Sequence, residues 1–246
     1  RRHTREADMS RGLGDVYKRQ GEAFAHAYRK LFGSPAVLTA EQNLVNVGKT
    51  LAAYIETLQT GKSPFDLFRD ALERNDFQTA ANYPEAAQRG FQIFAGKGKC
   101  GFCHTGPLFS NGEFHDAGVP YFIEPTRVDE GRYAGIEALL KSPYTLDKDY
   151  SDDPGRTGAW KINRLRRSHN EFGTFRVPSL REVENTAPYM HNGSLESLED
   201  VVDHYANIDL ERLHADGELI LEPLALSDQE AADLVAFLKS LSEQKQ

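Results

Sequence analysis

Apolar residues recur at helical spacing over most of the chain, so the sequence predicts a mainly helical protein. The first helix is predicted at 22–32 (EAFAHAYRKLF), and the second at 39–60, with Thr39 as its N-cap. A shorter helix should begin at Ser63-Pro64, because proline suits the first helical position. Three further helices are predicted, at 84–95, 197–205 and 227–241.

The stretch between about residues 114 and 176 shows no such period. It is rich in Gly, Pro, Asp and Tyr, a composition that favours long loops. Strand signals are weak throughout the chain, and no run of about 18 apolar residues is present, so no membrane-spanning helix is predicted. The expected fold class is all-α.

Net charge narrows the range of partners. The chain has 37 acidic and 29 basic side chains, a formal charge of −8. Nucleic-acid binding requires a basic surface, so this charge balance argues against a nucleic-acid partner. An acidic surface suits a cationic protein instead.

The first twenty residues, RRHTREADMSRGLGDVYKRQ, have neither a helical period nor the apolar centre of a secretory signal. They resemble a translated sequencing adapter. We therefore expect residues 1–20 to be a non-native tail, and we expect native sequence upstream of residue 21 to be missing.

The most informative motif is Cys100-Gly101-Phe102-Cys103-His104. In c-type haem attachment, two thiols at this spacing form thioethers to the vinyl groups and the following histidine binds iron. The alternatives are a redox or disulfide cysteine pair and a zinc site. No thioredoxin-like strand precedes the motif, and no second ligand pair for zinc is present. The motif therefore favours one covalent haem c.

The helices on either side of the motif agree with this interpretation. The helix before the motif presents Gly90, Phe91 and Phe94, and the final helix presents an apolar face that includes Leu234 and Leu238. Two such helices crossing at a small residue would resemble the cytochrome c fold.

From about residue 84 the chain resembles the C-terminal haem domain of bacterial di-haem cytochrome c peroxidases and their MauG-type relatives. The shared motifs are CGFCHTGPLFSNGEFHDAG, DEGR, FGTFRVPSLREVENTAPYMHNGSLESLEDVVDHY and FLKSL. The resemblance implies a cytochrome c-like domain with long loops at 79–246. Residues 21–78 would then be the helical end of a preceding domain and the connection to it. The family's first haem domain, with its own haem motif, is absent from this sequence.

The second axial ligand has four candidates: Met190, His191, His204 and Tyr205. Methionine is the usual sixth ligand of small electron-transfer cytochromes. In the family the distal ligand lies fourteen residues after the histidine of the Pro-Tyr-x-His-Asn-Gly motif, and in the MauG-type branch it is tyrosine. That resemblance implies Tyr205. Helical spacing also places Tyr205 on an inward face, where the alternative role is a core aromatic.

Other residues receive smaller roles. The resemblance implies that the backbone carbonyls of Thr186 and Pro188 hold a calcium ion between the two domains. Arg176 could pair with a haem propionate, or it could be an ordinary surface arginine. His115 and His191 are expected to form hydrogen bonds near the haem pocket. Trp160 is interpreted as a packed or loop-covering aromatic. The basic cluster of Arg164, Arg166, Arg167 and His169 is interpreted as a solvated loop, with a docking patch as the alternative.

The resemblance implies a periplasmic, hydrogen-peroxide-dependent di-haem oxidoreductase. This domain would relay electrons between the missing catalytic haem and an electron-donor protein or protein substrate. The alternative is a c-type electron-transfer module without peroxide chemistry. Upstream sequence with a second Cys-x-x-Cys-His would favour the enzyme.

Overall fold

Helices provide most of the regular structure in the computed structural model, which describes residues 22–119, 122–124, 127–212 and 220–244. The predicted tail at 1–20 lies outside the described residues. The helices are α1 Glu22–Phe32, α2 Ala40–Thr57, α3 Pro64–Glu73, α4 Phe77–Ala80, α5 Glu85–Ala95, α6 Arg132–Lys141, α7 Ala159–Asn163, α8 Leu198–Ala206 and α9 Asp228–Lys239. The mainly α fold class is confirmed, and none of these helices combines the length and apolar character needed to cross a membrane.

Four very short strands form two antiparallel pairs in the described part of the chain. β1, Phe114–His115, pairs with β4, Phe175–Arg176, and β2, Phe122–Glu124, pairs with β3, Arg127–Val128. The pairing of β1 with β4 joins positions about sixty residues apart in the chain. It connects the loop after the haem motif to the loop that leads towards α8.

Several helices begin where their sequence signals place them. The hydroxyls of Thr39, Ser63, Ser197 and Ser227 each accept a hydrogen bond from the backbone N–H three residues on, and the side chain at that third position returns the bond. Such capping boxes satisfy backbone donors that a helix start leaves free. The predicted N-cap at Thr39 and the start at Ser63-Pro64 are therefore confirmed.

The prediction of loops throughout 114–176 is wrong at α6 and α7. α6 starts at Gly131 without a side-chain cap, and Ile136 is its only buried residue. A helix with one buried position has no apolar stripe that a periodicity argument could detect.

The described residues form two compact units, which divide between Gln59 and Thr60. In the first unit, the Tyr28 hydroxyl donates to Asn43 Oδ1 at 2.6 Å and connects α1 with α2. In the second unit, α3 contributes Phe65 to the buried core. The predicted division at residue 79 stays a prediction, although α3 lies upstream of it and packs inside the second unit.

The core of the second unit is centred on Phe237, which is fully buried. Its ring centroid lies 5.0 Å from that of Phe94 and 5.4 Å from those of Phe65 and Phe91. Phe109, just after the haem motif, lies 6.2 Å away. Tilted and edge-on aromatic contacts of this kind add stabilisation beyond the area that they bury. The cluster therefore joins α3, α5, α9 and the loop after the haem motif.

The crossing of α5 and α9 is unusually close at Gly90. A Cβ atom at this position would lie 1.9 Å from the Asp233 carbonyl oxygen and 2.8 Å from Phe237 Cβ. The predicted helix crossing at a small residue is thus confirmed. Beside it, Arg89 binds the buried Asp233 carboxylate through Nε at 2.7 Å and Nη2 at 2.8 Å, so an ion pair reinforces the contact.

We expect Gly90→Ala to destabilise the chain by about 1–3 kcal/mol or more, since one methyl group would force the two helices apart. Gly135→Ala is the matched control, because Gly135 lies inside α6, where an added Cβ would meet no neighbouring atom within 4 Å. The control should stabilise by up to about 1 kcal/mol. Urea unfolding of both variants measures the difference, and equal effects would contradict the close crossing.

Candidate functional site

The haem motif follows α5 after a short turn. Lys99 adopts a left-handed conformation with φ of 54°, and a 3-10 turn then spans Cys100–Phe102. The His104 N–H donates to the Cys100 carbonyl at 2.9 Å, which brings the histidine back beside the first cysteine. Both cysteines are partly buried, and no disulfide joins them. Burial raises the pKa of the Cys100 thiol to about 11.

A cavity of about 670 Å³ opens beside this turn. Its volume lies within the range of about 300–1,000 Å³ that is usual for small-molecule and cofactor sites. Cys100, Cys103, His104 and Tyr205 all line it, together with apolar residues of α8 and α9: Leu198, Val201, Val202, Leu234 and Leu238. The arrangement can enclose a large apolar group and still offer it a few reactive atoms.

The hydrogen bond between His104 and the Phe109 carbonyl leaves the imidazole in the form that binds a metal. Its Nδ1–H donates to the Phe109 carbonyl at 2.9 Å, because a carbonyl oxygen can only accept. This bond fixes the tautomer whose Nε2 lone pair is free for a metal. Burial lowers the pKa of His104, and the carbonyls of Phe109 and Pro178 only partly oppose this effect. The neutral imidazole is the form that binds iron.

Tyr205 lies on α8, is half-buried and lines the cavity. Burial raises the pKa of the hydroxyl, and the thiols of Cys100 and Cys103 raise it further. The hydroxyl finds no hydrogen-bond partner among the residues that the structure describes. The Tyr205 oxygen is therefore available to a ligand in the cavity without loss of a hydrogen bond to the described protein residues.

The structure separates the four candidates for the second axial position. His204 does not line the cavity, because its Nε2–H donates to the Ala117 carbonyl at 2.8 Å. Met190 and His191 do line it, and the His191 ring stacks on Phe175 with centroids 3.6 Å apart. Tyr205, Met190 and His191 thus share the cavity, and the choice of Tyr205 stays a prediction.

The remaining predicted site residues also lie at this cavity. Arg176 reaches it from β4, opposite Phe114 of β1, while Thr186 and Pro188 line it from the segment before α8. Their assignments to a propionate and to calcium stay predictions. In the described ranges, no three His, Cys, Asp or Glu side chains converge on a common metal position.

Sequence reasoning missed one wall of the cavity, formed by residues 220–225. The Leu224 N–H donates to the Tyr205 carbonyl at 3.2 Å, and Lys99 pairs with Glu222 at 2.9 Å. This segment is irregular and carries no helical period. Its only signal is the group of apolar residues around Pro223.

Neither Trp160 nor the basic cluster lines the cavity. Trp160 is 54% exposed, and the guanidinium of Arg164 lies 5.4 Å from its ring centroid. In the basic cluster, Arg167 stacks over Tyr133 at 4.2 Å and pairs with Glu137.

Most of the chain is similar to curated cytochrome-c peroxidases and MauG proteins. Cytochrome-c peroxidase IdrP1 from Pseudomonas sp. (strain SCT) is 31% identical over 230 residues, which are 89% of this chain and 54% of that protein. The methylamine utilization protein MauG from Methylorubrum extorquens is 31% identical over 236 residues, 96% of this chain and 54% of that protein. The chain thus spans about half the length of these relatives. No protein-family model matches it.

The fold agrees with these relatives. The crystal structure of the diheme peroxidase BthA from Burkholderia thailandensis E264 superposes with a TM-score of 0.64 at 20% identity. The match covers 92% of this chain and 57% of that one. At this identity it supports the fold alone.

We expect acidification to destabilise the chain partly through His191. Desolvation of the ring, which stacks on Phe175, lowers the pKa of His191, and Asp129 and Asp116 only partly oppose this. The unfolded chain, with a histidine pKa of about 6.5, therefore takes up the proton first. The stability contributed by neutral His191 is present above that pH and is lost as the pH falls below it.

Urea unfolding between pH 8 and pH 5 measures this effect. The loss of unfolding free energy should be smaller in His191→Gln than in the unchanged chain. A larger loss in the variant would show that His191 is charged in the folded state.

Proposed function

Because the chain belongs to the di-haem cytochrome c peroxidase and MauG family, we propose that it is the electron-relay part of a peroxide-dependent c-type oxidoreductase. The cavity carries this proposal. It brings together two thiols, a neutral histidine and a half-buried phenol without a hydrogen-bond partner among the described residues, all within a largely apolar lining. The family resemblance indicates haem c as the cofactor. The two thiols, the imidazole and the phenol are groups that can bind it.

Haem c, when bound, supplies an iron that exchanges single electrons. Cys100 and Cys103 would hold its vinyl groups through thioethers, each formed by addition of S–H across the double bond. His104 would bind the iron through Nε2, and Arg176 would neutralise a propionate. Apolar residues of α8 and α9 exclude water, which strengthens every charge interaction inside the cavity.

The sequence contains one Cys-x-x-Cys-His motif, and the relatives are about twice as long as the matched region. We therefore propose that peroxide reacts at a second haem in another part of the protein. The electron donor would be a separate protein, or a protein substrate would be oxidised. Since covalent haem attachment is completed outside the cytoplasm, the proposed location is the periplasm. Calcium at Thr186 and Pro188 belongs to the same proposal.

The first test is haem content. Expressed with a c-type maturation system, the chain should carry one covalent haem that survives extraction with acid acetone. Cys100→Ser/Cys103→Ser should lose it, because no thioether can form. A pyridine haemochrome assay measures both, and haem that is absent or extractable from the unchanged chain would refute the proposal.

The second test concerns the ligand from α8. Burial keeps the Tyr205 phenol protonated unless a positive centre lies beside it. A phenolate on iron stabilises the ferric state, so Tyr205→Phe should change the ferric spectrum and raise the reduction potential. Met190→Leu is the matched control at the same cavity and should change little. The opposite ranking would assign the ligand to Met190.

The third test separates the relay from a catalytic haem. If His104 and Tyr205 both bind the iron, no coordination position stays open for peroxide. This chain should therefore turn over peroxide far more slowly per haem than a protein that also carries the second haem domain. Comparable rates with a small reduced cytochrome as donor would refute the relay role. Absence of turnover in both proteins would favour an electron-transfer module.

A further inference from the structure

The loop directly after the haem motif is held by a buried ion pair that the proposed function does not use. Asp66, at the start of α3, receives two hydrogen bonds from Arg181, Nη1 to Oδ2 at 2.6 Å and Nη2 to Oδ1 at 3.0 Å. Both side chains are largely buried, at 8% and 14% exposure. Burial alone would raise the pKa of Asp66, but hydrogen bonds from Arg181 and Ser63 outweigh it and lower the pKa.

Arg181 also contacts the loop that follows the haem motif, through its Nε donor. Arg181 Nε donates to the Pro107 carbonyl at 2.8 Å, and the guanidinium lies 5.1 Å from the centroid of the Phe109 ring. The neighbouring residues add two bonds, since Ser179 Oγ and the Leu180 N–H both donate to the Leu108 carbonyl. Residues 107–109 are therefore held from one side by the segment 179–181.

Phe109 shows why this support matters. Its φ is 51°, a left-handed conformation that an aromatic residue rarely adopts. Such a conformation persists only where the surroundings determine it. The carbonyl of the same residue accepts the Nδ1–H of His104 at 2.9 Å. The direction of that carbonyl, and with it the orientation of the imidazole, depends on how firmly the loop is held.

We propose that Arg181, anchored by Asp66, is a positioning residue for His104 that acts through the backbone of residues 107–109. It fixes the Phe109 carbonyl, which accepts the Nδ1–H of His104 and, together with the Pro178 carbonyl that His104 also meets, holds the imidazole. The consequence for iron binding rests on the proposed function, whereas the positioning of the ring does not.

The test is proton exchange at the histidine rings of the ¹⁵N-histidine-labelled chain. In Arg181→Met the His104 Nδ1–H should exchange about tenfold faster. The variant loses about one hydrogen bond that holds the loop, and the net stabilisation from one such bond corresponds to roughly a tenfold change in how often the loop opens. The Nε2–H of His204, held by the Ala117 carbonyl, is the internal reference and should keep its rate. His204→Gln assigns the two signals.

Arg89→Met is the matched control variant, because Arg89 makes a two-bond pair with the buried Asp233 and, among the described residues, has no hydrogen bond or ring contact to residues 107–109. It should leave the His104 rate unchanged relative to His204. If Arg181→Met fails to fold, Arg181→Lys replaces it, since lysine keeps the charge beside Asp66 but cannot also supply the Nε donor to Pro107. Unchanged His104 exchange in the folded variant would overturn the proposal, and so would equal acceleration of both rings.

Haem in the same samples separates this proposal from the proposed function. Where covalent haem is present, the Arg181 variant should also show a raised reduction potential, because a weaker Nδ1–H bond makes the histidine a poorer donor. A chain without covalent haem would refute the proposed function. The exchange comparison between His104 and His204 would still decide the role of Arg181.

Discussion

The contact at Gly90 sets the geometry of the second unit. The backbone of α5 meets the Asp233 carbonyl of α9 at a distance that excludes even a methyl side chain. From this crossing, α5 leads into the haem motif, while Leu234 and Leu238 of α9 line the cavity. A larger residue at position 90 would therefore disturb the core and the cavity together, since closely packed interiors transmit strain.

Two buried carboxylates, Asp233 and Asp66, lie near this packing, and each is held by an arginine through two hydrogen bonds. A buried ion pair adds little net stability compared with apolar packing, but loss of one partner leaves a costly uncompensated charge. The two pairs thus act mainly as constraints. The first orients α9 against α5, and the second holds α3 against the loop that carries Phe109.

The cavity favours the neutral forms of its reactive groups. Burial raises the pKa values of Cys100 and Tyr205 and lowers that of His104. An apolar lining produces all three shifts because it disfavours any charged form. A positive metal centre would reverse this preference for an oxygen or sulfur ligand. The thiol and the phenol therefore stay neutral unless a bound cofactor places a positive charge beside them.

The sequence by itself determined the features that depend on near neighbours in the chain. Capping residues and apolar periods located α2, α3, α5, α8 and α9, and the haem motif identified the chemistry. Gly90 could be recognised as a crossing point because it lies on an otherwise apolar helical face. These signals are local, so they can be read without knowing the fold.

Only the tertiary structure decided what depends on distant contacts. It excluded His204 from the cavity through a carbonyl 87 residues away, and it placed residues 220–225 against Tyr205. It also brought Arg181 to Asp66, 115 residues earlier in the chain. None of these pairings leaves a periodic or spacing signal, because each side chain meets its partner only after the intervening chain has folded.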